Sequence, residues 1–283
     1  MVHPRAVHAD WPPPGGTFCY TFFRAVTAYV RPVVSRAVFT PEERELLREG
    51  LASAAYADTR ISGAAVTGSA AVGRADRWSD IDLALCVAAE ADRGQVLADW
   101  TNRMYRDHGA VHHVDVTRGV ALFRVFLLSS TLQVDLAFWP AAEFGAIAPT
   151  FRLLFGTANE RPPAPAPDAT ELIGMSWLYA LHARSSIARG RAWQAVYMIS
   201  GVRDHVIALA CLRHGLPAVQ GRGVDSLPPG ILATLSDGLV RSLDTAELKR
   251  ALGVISEALL IEIEPVDPAL ANRLAGPLRG LAS

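Results

Sequence analysis

Two aspartates stand one residue apart inside an otherwise apolar run. The run SDIDLALCV, residues 79–87, has the composition of a buried strand. Because successive residues of a strand point to opposite faces, Asp80 and Asp82 share one face, where their charges repel each other. A cation between them relieves the repulsion, and hard carboxylate oxygens suit Mg²⁺. The run therefore predicts a strand that holds divalent cations.

A third carboxylate is expected on a neighbouring strand. Asp135 lies in LQVDLAF, where apolar residues flank it and nothing else explains a charge. Asp115 in HHVDVT is the alternative, but the polar, turn-like TRG follows it. We therefore expect Asp135 to complete the site.

A Gly-Ser pair follows the apolar run ISGAAVT, which is typical of a short buried strand. The pair is expected to open a helix, so that backbone N–H groups and the Ser69 hydroxyl face a phosphate at the positive end of the helix dipole. Glycine at position 68 lets the backbone approach closely. The segment thus predicts a phosphate-binding turn.

The Pro/Ala-rich segment NERPPAPAPD, residues 159–168, is the best candidate for a domain boundary. We expect an N-terminal extension over residues 1–39 with a short amphipathic helix near 19–36, a first domain over 40–160 and a helical domain over 168–283. The predicted fold class is α+β, a small mixed sheet with flanking helices followed by a C-terminal helical bundle. In the first domain, Thr40 and Pro41 predict the start of a helix that ends near Asp58, and a hairpin is expected to turn at Ser129-Ser130. In the second, helices are expected over 169–191 and 192–215 and near 229–240 and 244–262.

The pattern resembles the DNA polymerase beta-like nucleotidyltransferase superfamily. Members have an apolar strand, a Gly-Ser or Gly-Gly pair, about ten residues, Asp-x-Asp between apolar residues, and a later strand aspartate. Here ten residues, Ala70 to Ser79, separate Ser69 from Asp80. The segment GSAAVGRADRWSDIDL is also similar to the minimal and antibiotic-modifying branches, in which a serine, here Ser79, precedes the first aspartate. The resemblance covers residues 40–158 in detail, and beyond the linker it is only architectural.

The resemblance implies transfer of a nucleoside monophosphate from a nucleoside triphosphate, with ATP as the expected donor, and release of pyrophosphate. Two Mg²⁺ ions would be held by the catalytic carboxylates, and phosphates by Gly68, Ser69 and Ser79. The carboxylates in question are Asp80, Asp82 and Asp135. The implied acceptor is a small hydroxylated molecule such as an aminoglycoside or lincosamide. A toxin–antitoxin-type protein adenylyltransferase and a degenerate nucleotide-binding interaction protein are the alternatives, and the intact carboxylates argue against the second.

The helical half carries candidate ligand contacts as well. Arg184 and Arg189 are expected to reach the triphosphate across the domain cleft, the alternative being a solvated helix face. Arg74 and Arg77, expected to be exposed, are further candidates for the same role. Four aromatic residues are expected in the core of the bundle, with the alternative that one lines an acceptor pocket: Trp177, Tyr179, Trp193 and Tyr197.

Composition limits the class of partner. The net charge of −1 gives no basic surface for duplex nucleic acid or an anionic membrane. We find no run of about 18 apolar residues, so no membrane-spanning segment is expected. The three cysteines are odd in number and widely spaced, which argues against a disulfide framework. The N-terminus is a poor signal peptide, so a cytoplasmic location is expected.

Overall fold

The structure is a computed structural model that describes residues 38–146, 150–162 and 165–282. These residues form two compact units, one on each side of residues 163–164. The first unit contains a mixed sheet with flanking helices, and the second is helical, which confirms the predicted α+β class. The helix predicted near residues 19–36 lies outside the described residues.

The first unit begins with helix α1, Pro41–Ala57. The Thr40 hydroxyl accepts a hydrogen bond from the Glu43 N–H (3.2 Å), and the Glu43 carboxylate accepts one from the Thr40 N–H (2.8 Å). This reciprocal capping box satisfies two backbone donors that a helix start leaves unpaired. The predicted start of the helix is confirmed.

The described strands of the first unit form one six-stranded sheet. In chain order the elements after α1 are β1 (Ile61–Thr67), α2 (Gly68–Ala71), β2 (Ile81–Val87), α3 (Arg93–Asp107), β3 (Ala110–Arg118), β4 (Ala121–Leu128), β5 (Gln133–Pro140) and β6 (Phe151–Phe155). The strand order in the sheet is β3-β4-β5-β2-β1-β6. Strands β2 and β5 run parallel, and all other neighbours are antiparallel. The β4–β5 hairpin turns through residues 129–132, as predicted.

Both faces of the central strands are covered. On β2, Ile81, Leu83 and Leu85 pack into a large apolar core with residues of α1 and α3. Ala84 and Cys86 point to the other face, where they meet a smaller cluster that includes Ala137, Trp139 and Phe144. Because strand residues alternate, Asp82 and Asp135 lie on the face of the smaller cluster.

The second unit consists of five α-helices within the described residues. The stripes of small and aliphatic side chains on these helices form its core. The first four helices were predicted, whereas the last was not, because Gly276 and Pro277 interrupt its pattern. The helices are α4 (Ala169–Ala188), α5 (Ala192–Arg213), α6 (Pro229–Asp237), α7 (Thr245–Ile263) and α8 (Pro268–Arg279).

The prediction that the aromatic residues of α4 and α5 fill this core is wrong for three of the four. Trp193 is 76% exposed and Tyr197 is 69% exposed, and Trp177 is also exposed. Small residues such as Ala180 and Ala195 occupy the buried faces of these helices, so the larger rings lie outside. Only Tyr179 packs inward, where it stacks on His205 with ring centroids 5.4 Å apart.

Helix α5 is long and apolar enough to cross a membrane by length and composition alone. The prediction that no segment approaches this limit was therefore too strong. Ala195, Ile199, Val202 and Val206 of α5 are buried in the core of the helical unit. A core helix of this kind meets the same criterion, so the criterion does not identify α5 as a membrane span.

Candidate functional site

Three carboxylates meet on one face of the sheet. Asp80 immediately precedes β2, Asp82 is its second residue, and Asp135 is paired with Asp82 on the parallel strand β5. One carboxylate oxygen from each residue lies within 4.8 Å of the other two, and all three side chains are half-buried. The parallel register therefore brings the three aspartates together into what we call the carboxylate trio.

Gln133 holds two members of the trio in the described structure. Its side-chain amide donates to Oδ1 of Asp135 (2.9 Å) and to Oδ2 of Asp80 (3.3 Å). A donor between two carboxylates offsets part of their repulsion. Sequence reasoning missed this residue, although its position two before Asp135 on the same strand face could have identified it.

The environment of Asp135 favours its protonated form. Burial raises the pKa of this carboxyl to about 6, and the nearby negative charge of Asp80 acts in the same direction. The hydrogen bond from Gln133 and the positive charge of Arg118 oppose this rise in pKa. A bound cation would favour the ionised carboxylate, so cation binding and proton binding compete here.

Gly68 makes room for the Asp82 carboxylate. Its φ is +64°, in the left-handed region that favours glycine, and a Cβ there would lie 2.9 Å from Cγ of Asp82 and closer still to Oδ2. Position 68 therefore requires glycine partly because a side chain there would displace the Asp82 carboxylate. Sequence reasoning did not foresee this requirement. The predicted phosphate-binding turn relied on a helix dipole. Helix α2 has only four residues, too few to supply one.

Ser69 and Ser79 are joined by a hydrogen bond. The Ser69 hydroxyl donates to Oγ of Ser79 (3.2 Å), and Ser79 in turn donates to Oδ1 of Asp76 (3.1 Å). The Asp76 side chain also accepts from the Trp78 N–H (2.8 Å). We call residues 76–79 the Asp76 turn. Both predicted phosphate-binding hydroxyls thus have partners within the protein, and their binding of a phosphate stays a prediction.

Arg44 anchors the Asp76 turn from α1. This residue is only 4% exposed, and its guanidinium donates to the main-chain carbonyls of Asp76 and of Ser79, the latter at 3.2 Å. Arginine is seldom buried without such partners. Sequence reasoning missed Arg44, although it lies in helical phase with the buried Leu51 and opposes the dipole at the start of a helix.

Asp115 does not belong to the trio. It forms a two-point ion pair with Arg124, with both N–O distances at 2.7 Å, on strands β3 and β4. This pair lowers the pKa of Asp115. The structure thus places Asp135, and not the alternative Asp115, beside Asp80 and Asp82.

The predicted arginine contacts are all on the surface. Arg184 is exposed on α4, and Arg189 is exposed at the C-cap of the same helix. Arg74 and Arg77 are exposed in the segment that precedes Asp80, as expected. A role for Arg184 and Arg189 in binding triphosphate stays a prediction.

The trio fits a divalent cation that prefers oxygen ligands. Around Mg²⁺, with bonds of about 2.1 Å, ligand oxygens lie roughly 3–4 Å apart. The observed spacing, within 4.8 Å, needs only a small contraction to reach this value. Three half-buried carboxylates at this spacing can hold a divalent cation and leave part of its coordination shell to another ligand.

No protein-family model matches the chain. No curated protein matches it in sequence either. Among solved structures, an aminoglycoside 6-adenyltransferase from Bacillus subtilis is similar, at 13% identity and a TM-score of 0.38 over 84% of this chain and 97% of that one. The similarity is distant, and we infer nothing about the chemistry of this chain from it.

Proposed function

We propose that the chain is a metal-dependent nucleotidyltransferase that moves a nucleoside monophosphate from a nucleoside triphosphate to a hydroxyl group and releases pyrophosphate. The observation that carries the proposal is the carboxylate trio on adjacent parallel strands, with the three oxygens within 4.8 Å of one another. The Gly68-Ser69 turn lies directly against it. Carboxylates together with a phosphate-binding turn are what a magnesium triphosphate requires.

The trio residues would each hold metal through a carboxylate oxygen. Divalent cations bound there would neutralise charge on the triphosphate and lower the pKa of the acceptor hydroxyl. Gln133 keeps Asp80 and Asp135 close before the ligand arrives. Ser69 would donate to the phosphates after giving up its hydrogen bond to Ser79, and Ser79 after giving up the one that it donates to Asp76. Most of the rate enhancement would come from positioning and charge neutralisation.

The proposed acceptor is a small hydroxylated molecule, with aminoglycosides and lincosamides as the first to test. The net charge of −1 supports a small acceptor over a polymeric nucleic acid. A protein hydroxyl, as in toxin–antitoxin adenylyltransferases, is the second candidate. Arg184 and Arg189, both exposed, are proposed to contact the triphosphate. If so, Arg184→Ala and Arg189→Ala raise the KM for triphosphate.

The test measures transfer of radiolabelled α-phosphate from ATP to a panel of aminoglycosides, lincosamides and candidate proteins, with and without Mg²⁺. Wild-type protein and the variants Asp82→Asn and Asp115→Asn are compared. Asp115→Asn is the matched control, because it makes the same change on the same sheet outside the trio.

We expect transfer that depends on Mg²⁺, that falls at least about a hundredfold in Asp82→Asn and that persists in Asp115→Asn. Transfer without divalent metal, or full activity in a folded Asp82→Asn variant, would contradict the proposed function.

A further inference from the structure

An exposed tryptophan stands next to the carboxylate trio. Trp78 is 66% exposed, although it precedes Asp80 by only two residues. Consecutive Cα atoms are about 3.8 Å apart, so the Cα atoms of Trp78 and Asp80 lie within about 7.6 Å of each other. A large apolar ring that remains in solvent on a residue two before a trio member needs an explanation other than core packing.

The backbone that carries Trp78 is fixed. Its N–H donates to Oδ1 of Asp76 (2.8 Å), and the Asp76 N–H donates to Oγ of Ser79 (2.9 Å). The buried guanidinium of Arg44 binds the carbonyls on both sides of Trp78, those of Asp76 and Ser79. The indole is therefore presented to solvent by an ordered turn, which reduces the entropy cost of binding a ligand to it.

A positive charge lies on the same ring. The Arg77 guanidinium is 4.4 Å from the ring centroid of Trp78, a cation–π contact. This guanidinium covers part of one ring face, and the rest of the exposed indole remains available to a flat ligand. Together, Trp78 and Arg77 offer a stacking surface and a positive charge side by side.

We propose that Trp78 binds the nucleobase of the nucleoside triphosphate by stacking, with Arg77 facing the negative charge of the same ligand. The proposal rests on the proposed function, since it assumes that a triphosphate is held at the trio. A nucleoside triphosphate has both features that this pair recognises, an aromatic ring and an adjacent polyanion. A cationic acceptor such as an aminoglycoside fits less well, because Arg77 would repel it.

The experiment measures binding of two probes to the full chain by calorimetry in excess Mg²⁺. One probe is a non-hydrolysable ATP analogue, and the other is inorganic tripolyphosphate, which has no base. Trp78→Leu removes the stacking ring, and Trp78→Phe keeps an aromatic face. Trp193→Leu is the matched control, because Trp193 is also highly exposed but lies on α5.

Stacking on an aromatic side chain is typically worth a factor of about five or more in affinity. We expect Trp78→Leu to weaken binding of the ATP analogue at least about fivefold and to leave tripolyphosphate binding unchanged. Trp78→Phe should retain most of the affinity, and Trp193→Leu should match the wild type for both probes.

Two results would overturn the assignment of Trp78. One is an unchanged affinity of Trp78→Leu for the ATP analogue. The other is an equal loss for both probes, which would mean that Trp78 supports the phosphate site and does not bind the base. If wild-type protein binds neither probe in the presence of Mg²⁺, the proposed function itself fails, and the role of Trp78 fails with it.

Discussion

Replacing Gly68 by alanine separates the placement of Asp82 from backbone strain. The substitution puts a Cβ on a residue with φ of +64°, 2.9 Å from Cγ of Asp82. Gly73 offers the matched control, because its φ is +68° and a Cβ there meets nothing within 4 Å. Both variants carry the left-handed backbone penalty, but only Gly68→Ala displaces a member of the trio.

The left-handed conformation costs a non-glycine residue about 1–2 kcal/mol. The Asp82 carboxylate is the end of a short side chain that can rotate away, so the clash adds little to the free energy of unfolding. Rotation, however, removes one of the three proposed metal ligands. We therefore expect both variants to lose about 1–2 kcal/mol of stability. Only Gly68→Ala should lose affinity for a divalent cation, by about 10- to 100-fold.

Two measurements are made on wild-type protein and on both variants. Urea unfolding gives the stability, and calorimetric titration with Mn²⁺ gives the affinity for the cation. We expect similar midpoints of unfolding for the two variants and a selective loss of Mn²⁺ affinity in Gly68→Ala. Wild-type Mn²⁺ affinity in Gly68→Ala, or an equal loss in Gly73→Ala, would refute it.

Three further predictions concern residues around the trio. The pKa of Asp135 is raised to about 6 in the folded protein, so the protonated carboxyl stabilises the metal-free fold. This stabilisation is lost as the pH rises from about 4 to 6 and the carboxyl ionises. Asp135→Asn should therefore stabilise the metal-free protein by about 1–3 kcal/mol at pH 7 in urea unfolding, whereas no change would contradict the burial argument. Arg44→Met should lower stability by about 1–3 kcal/mol and also weaken Mn²⁺ binding, because it frees the turn before Asp80. Arg48→Met, which removes an ion-pair partner of Glu45 on the same helix, should leave Mn²⁺ binding unchanged, and equal Mn²⁺ affinities in the two variants would contradict this role for Arg44. Ser69→Ala should weaken triphosphate binding by about 1–3 kcal/mol and spare nucleoside monophosphate, and equal losses for the two ligands would place the hydroxyl elsewhere.

The candidate site shows which parts of a structure local sequence can predict. Asp80 and Asp82 share a face because strand alternation is a local rule. The pairing of Asp82 with Asp135 depends on two strands 53 residues apart running parallel, which no local pattern specifies. The expectation for Asp135 came from its apolar surroundings and from the family resemblance.

The residues that sequence reasoning missed act through tertiary contacts. Arg44 reaches the Asp76 turn across more than 30 residues of chain, and Gln133 reaches Asp80 across 53. Trp193 and Tyr197 were expected in the core, but their rings are exposed, because tertiary packing and not local sequence decides which helix face is buried. Helices α4 and α5 are apolar on most faces, so composition alone does not identify the face that packs inward.

The proposed function requires the carboxylate trio to hold divalent cations together with a nucleoside triphosphate. Anomalous diffraction from crystals grown with Mn²⁺ and a non-hydrolysable ATP analogue locates both ligands. We expect a manganese peak at about 2 Å from a carboxylate oxygen of each trio member, with the triphosphate sharing the ion. Ordered triphosphate without manganese at Asp80, Asp82 and Asp135, or manganese bound only at other carboxylates, would contradict it.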